Sequence, residues 1–130
     1  MPYDVRAASG SLREPGLPVL PHRWTDGGVS VRTDFTGAHL LHLSVAGCVL
    51  NDVHREAPGL GVVVDGVRVT ASGDLDPTTW ASTGITYLVD VDGPSGPEQV
   101  AALLTRVDAV AEIPRALRVG TVVQRAGAAD

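Results

Sequence analysis

The chain has 130 residues, 44% of them hydrophobic and 19% charged, with a formal net charge of −5. That describes one globular domain, able to bury roughly two thirds of its unfolded surface without a metal or disulfide staple. The acidic balance argues against nucleic acid and against an anionic membrane surface. All ten basic residues are Arg, so Schiff-base and phosphate-loop lysines are excluded.

The first 21 residues read as irregular, since "REPGLPVLP" carries three prolines in nine residues and proline resists helix. A short strand is expected around Tyr3–Ala8. "TDGG" is turn chemistry. "GVSVRTDF" (28–35) then places Val29, Val31, Thr33 and Phe35 on one side of a strand.

The period changes at Thr36, a good helix N-cap. Leu40, Leu43, Ala46, Gly47, Leu50, Val53, His54 and Ala57 recur at helical spacing, and Leu41, Val45, Cys48, Val49 and Asp52 widen that side until it nearly surrounds the first half. Such a helix is expected to be buried on several sides. Its second half, Asn51–Glu56, is polar and is expected to reach solvent. Pro58-Gly59 ends it.

"GVVVDGVRVTASGDLD" is rich in strand formers. Asp65-Gly66 suggests a tight hairpin; the alternative is one long strand from Val67. "DLD" (74–76) reads as a solvated turn. "GITYLVDVDG" (84–93) alternates Ile85, Tyr87, Val89 and Val91, a half-buried strand. A capping box over Ser95–Glu98, with proline at the first helical position, opens a second helix. Its inner face carries Val100, Leu103, Leu104, Val107 and Val110. "RALRVGTVVQR" is expected to end as a strand, followed by a frayed tail. Strands and helices without regular βαβ alternation give an α+β class.

Cys48 is the only cysteine. It suits a reducing, cytoplasmic setting, and the N-terminal residues lack the apolar run of a secretory signal. A cysteine on an apolar helix is either a small hydrophobic filler or a thiol activated by a nearby cation. Asp52, one turn on, would raise its pKa; Arg55, two turns on, would lower it. His39 and His42 share a helix face, but Cys48 and His54 lie too far along it to complete a metal site. No metal or cofactor is expected. No G-x-S-x-G elbow occurs, and "GLGVVVDG" lacks dinucleotide-binding glycine spacing.

Several segments, in order, resemble the osmotically inducible protein C / organic hydroperoxide resistance (OsmC/Ohr) family. "HLLHLSVAGCVLNDVHREA" is similar to its central helix, with Cys48 at the reactive-thiol position. "LGVVVDGVRVTASGDLD" resembles the following strand, "GITYLVDVDGPSGPEQVAALL" the next strand and helix, and "EIPRALRVGT" the closing helical turn and last strand. The resemblance covers about residues 36–124.

It implies an α+β, OsmC-like fold: antiparallel sheets around a long buried central helix, in an interlocked homodimer. It also favours one long strand over a hairpin at Asp65-Gly66. The whole chain would be one domain, with an N-terminal extended segment (1–27), a core (about 28–124) and a tail (125–130). The implied activity is reduction of organic hydroperoxides in oxidative stress defence, with Cys48 as nucleophile. Where the family has a Glu that holds its activating Arg, this chain has Ala38; where it has a resolving Cys, this chain has Ala111. Arg32 is the first candidate for the activating Arg and Arg23 the second. His39, beside the lost Glu position, and Leu43, on the apolar helix face, are the candidate binding residues. The implied partners are a second copy of the chain, a small organic hydroperoxide and an external thiol reductant. The alternative function is a non-catalytic protein holding a small apolar or thiol ligand at the dimer interface.

Overall fold

The computed structural model describes residues 2–127. Strands β1 (Val5–Gly10), β2 (Val19–Leu20) and β3 (Val29–Arg32) precede helix α1 (Gly37–Glu56) and a 3-10 turn at Pro58–Leu60. Then come β4 (Gly66–Leu75), β5 (Ser82–Asp92), α2 (Pro97–Val110), α3 (Glu112–Leu117) and β6 (Val123–Arg125). The class is α+β, as expected. The expected antiparallel sheets are one mixed six-stranded sheet, ordered β2-β3-β1-β4-β5-β6, in which β5 and β6 run parallel.

One sheet suffices because the alternating side chains of β1, β4 and β5 form continuous apolar rows. Val5, Ala71 and Tyr87 lie side by side, as do Ala7, Val69 and Val89. Helix α1 lays Val45, Ala46, Val49, Leu50 and Val53 over these rows, and α2 adds Leu103, Leu104 and Val107. Fully burying each such Val or Leu is worth about 1.5–3 kcal/mol before entropy is subtracted. Val100 and Val110 flank this face half-buried. Helix α1 is therefore covered on its sheet side and its α2 side. Leu40, Leu41 and Leu43 stay half-buried in the protomer, so burial on all sides is not achieved within one chain.

Local signals set the ends of α1. Thr36 Oγ1 accepts a bond from His39 N at 3.1 Å, the expected cap. After Ala57 the chain tightens into the 3-10 turn and leaves through Gly61, at φ 69°. The expected solvation of Asn51–Glu56 is corrected: Asp52 is 2% exposed, because this part of α1 packs against α2 and α3.

Asp65-Gly66 is not a hairpin. Gly66 opens β4 in register with Gly10 and Asp92, and a Cβ there would collide with Ser11 Oγ and lie 2.7 Å from Leu12 N. The glycine permits close strand approach. The true β4–β5 turn is 76–81, where Asp76 Oδ1 accepts from Thr78 N at 2.8 Å and Thr79 N at 3.0 Å. The expected strand over 28–35 ends at Arg32; Phe35 is 89% exposed as the chain turns toward the α1 cap. The capping residue of α2 is Gly96, with Gln99 Oε1 accepting from its N–H at 3.1 Å. Ser95 Oγ instead accepts from Val63 N. The expected closing strand is divided: Arg115–Leu117 are helical, and only Val123–Arg125 pair with β5. The expected frayed tail falls largely on residues 128–130, outside the described residues. No helix among the described residues is long and apolar enough to cross a membrane.

Candidate functional site

Cys48 sits midway along α1, half-buried, facing the start of α3. It gets that neighbour from a break between two helices. Ala111 takes an extended conformation (φ −61°, ψ 122°) after α2, which turns α3 across α1. Cys48 Sγ then accepts from Ile113 N and donates to Glu112 Oε2, each at 3.5 Å.

Arg55 organises the surrounding charges. Its guanidinium reaches Glu112 Oε1 at 2.8 Å, Asp52 Oδ2 at 3.0 Å and Glu56 Oε2 at 3.2 Å. Arg106 backs Glu56 at 3.0 Å. Helical spacing puts Cys48, Asp52 and Arg55 on one stripe; Glu112 comes from 64 residues further along.

The electrostatics keep the thiol protonated. Burial pushes the Cys48 pKa up; the Ile113 N–H opposes this, while Asp52 and Glu112 add to it. Burial also raises Asp52 to about 6, against the pull of Arg55 and with help from Glu112 and Glu56. The bond from Arg55 holds Glu112 below the usual carboxylate range. Cys48, Asp52 and Glu112 offer ligand atoms within 4.8 Å of one another. Arg55 already contacts both carboxylates of that set, so an arginine supplies its positive charge.

The other candidates from the sequence lie elsewhere. Arg32, at the end of β3, lines a shallow depression with Asp34 and His39. His39 caps back onto Thr36 Oγ1 at 2.6 Å and sits edge-on to Tyr3. Arg23 lies 5.9 Å from the Trp24 ring and shares a pocket with Leu43. None of these four is among the bonding partners of Cys48, which are Glu112 and Ile113. Ala38 lends its carbonyl to His42 Nδ1 at 2.7 Å. Ala111, at the position where the resemblance places a second cysteine, is buried immediately before Glu112. Sequence reasoning weighed Asp52 and Arg55 but missed Glu112, whose only local signal is its place after the α2 pattern ends.

A sheet covered on one face by two helices, with a lone thiol where a third helix meets the longest one, defines an α+β thiol-bearing domain. The chain belongs to the OsmC-like protein family, whose pattern matches residues 30–125. Its fold is similar to that of an OsmC like protein from Mycoplasma pneumoniae, at 11% identity over 95% of this chain and 93% of that one, with a TM-score of 0.63. A hypothetical protein from Aquifex aeolicus VF5 is similar at 11% identity, covering 91% and 90% of the two chains, with a TM-score of 0.63. An organic hydroperoxide resistance protein OsmC from Legionella pneumophila is similar at 18% identity over 70% of each chain, with a TM-score of 0.57. No curated protein sequence matches the chain.

Proposed function

We propose that the protein is a one-cysteine, thiol-dependent peroxidase for organic hydroperoxides. The observation that carries this reading is the bonded set Cys48–Glu112–Arg55, which gives a lone thiol a hydrogen-bonded carboxylate held in place by a cation. Membership of the OsmC-like family and the likeness to the Legionella organic hydroperoxide resistance protein support the substrate class.

In this reading Cys48 sulfur attacks the terminal oxygen of the hydroperoxide, the O–O bond breaks, and Cys48 becomes a sulfenic acid. The S–H proton passes through Glu112 to the departing alkoxide, which leaves as an alcohol. Arg55 positions Glu112 and Asp52. No second cysteine is present to close a disulfide. An external thiol therefore condenses with the sulfenic acid, releasing water, and a second external thiol displaces it as a disulfide. A homodimer covering the half-buried Leu40 and Leu41 is part of the same proposal.

The test is stopped-flow loss of free thiol after one equivalent of cumene hydroperoxide, with the alcohol quantified. Cys48 should react orders of magnitude faster than free cysteine, and Cys48→Ser should not react. Reaction no faster than free cysteine defeats the proposal. The raised thiol pKa favours a second reading, a non-catalytic protein that holds a small ligand. Cellular function preserved in Cys48→Ser would establish that reading instead.

A further inference from the structure

Strands β2 and β3 and the loop between them stand off from α1 and leave a pocket of about 270 Å³. Leu20, Trp24 and Val31 form one wall; Leu43 and Leu50 of α1 form the other. Between the two leucines lies Gly47, where a Cβ would meet nothing within 4 Å. Glycine in a helix interior is an unfavourable choice, and no packing contact here requires it. Its effect is to leave the pocket floor open.

The polar lining is uneven. His22 is already bonded to Thr25 and to Asn51, at 2.7 and 2.9 Å. Arg23 is exposed beside Trp24 and, among the described residues, has no carboxylate partner. A guanidinium free at the rim of an apolar pocket suits a carboxylate, which it binds in a fork-to-fork geometry. The volume falls just below the roughly 300–1,000 Å³ of sites that take drug-sized ligands, so the occupant is slim.

We infer that this pocket binds an amphipathic monoanion, a medium-chain carboxylate, with its chain over Gly47 between Leu43 and Leu50 and its head group on Arg23. The site excludes the thiol: Cys48 bonds to α3, and none of its bonding partners lines the pocket. It therefore stands independently of the peroxidase proposal.

Decanoate is the probe, titrated against Trp24 fluorescence in a Trp80→Phe background, with 1-decanol as the uncharged control. Decanoate should give a saturable change. Arg23→Gln should weaken decanoate about tenfold and leave decanol within about twofold. Gly47→Leu should abolish binding of both while keeping the far-UV circular dichroism spectrum. The inference is overturned if no saturable signal appears below the onset of micelles, or if Arg23→Gln weakens both probes equally. It is also overturned if Gly47→Leu dissociates a dimer in sedimentation, since a second copy of the chain would then fill the pocket. Arg23→Gln, at an exposed position, decides the matter if Gly47→Leu does not fold.

Discussion

Replacing Asp52 by Asn should stabilise the protein at neutral pH and do nothing in acid. Asp52 is 2% exposed, and its pKa is lifted from 3.8 to about 6. The folded state therefore binds this proton more tightly than the unfolded chain does. Its contribution to stability is fully present below pH 3.8 and is lost as pH rises through about 6. A lift of that size corresponds to roughly 3 kcal/mol, at about 1.4 kcal/mol per unit. The Arg55 contact does not cancel it, because that attraction already acts on the raised value. Asn keeps the shape and removes the charge. Urea denaturation of both proteins at half-unit steps from pH 4 to 8 should show Asp52→Asn gaining about 1–3 kcal/mol, with the gain growing up to about pH 6 and flat above. A difference independent of pH, or a destabilised variant at pH 8, would refute the assignment of Asp52 as a buried carboxylate forced to ionise.

Glu112→Gln removes a carboxylate that raises the Cys48 pKa and accepts a hydrogen bond from its thiol. Iodoacetamide alkylation near pH 7.5 should become severalfold faster, because more thiolate is present, while hydroperoxide reduction should slow for want of a proton donor to the alkoxide. Both rates moving together would remove Glu112 from the proton path. Gly73→Ala should cost about 1–3 kcal/mol by overpacking, since its Cβ would enter the contact radius of Gly84 O and of His42 Nε2, a fully buried ring. Thermal melts check this; an unchanged melting temperature would mean that His42 has room to move. Tyr87→Phe should cost about 0.5–1.5 kcal/mol for one lost hydrogen bond, because Asp108 keeps Arg118 at 3.0 Å. A loss well above that range would mean that the hydroxyl organises the α2 contact as a whole.

The amino-acid sequence by itself determined what depends on neighbours along the chain. Thr36 and Pro58 bound α1, because a cap hydroxyl and a proline act within one turn. The alternation in β5 placed Ile85 and Tyr87 inward, because strand side chains alternate faces whatever they pack against. Several segments taken in order, over about residues 36–124, were enough to suggest the OsmC-like family. Tertiary structure alone decided the rest. Gly66 looked like a turn because Asp-Gly so often is one; its role comes from Ser11 and Leu12, more than fifty residues earlier. The segment Asn51–Glu56 looked solvent-facing because it is polar; packing of α1 against α2 and α3 buries Asp52 within it. The residue bonded to the thiol was invisible for the same reason. Local chemistry fixes which way Cys48 points from its helix, but only the break at Ala111 brings Glu112 to meet it.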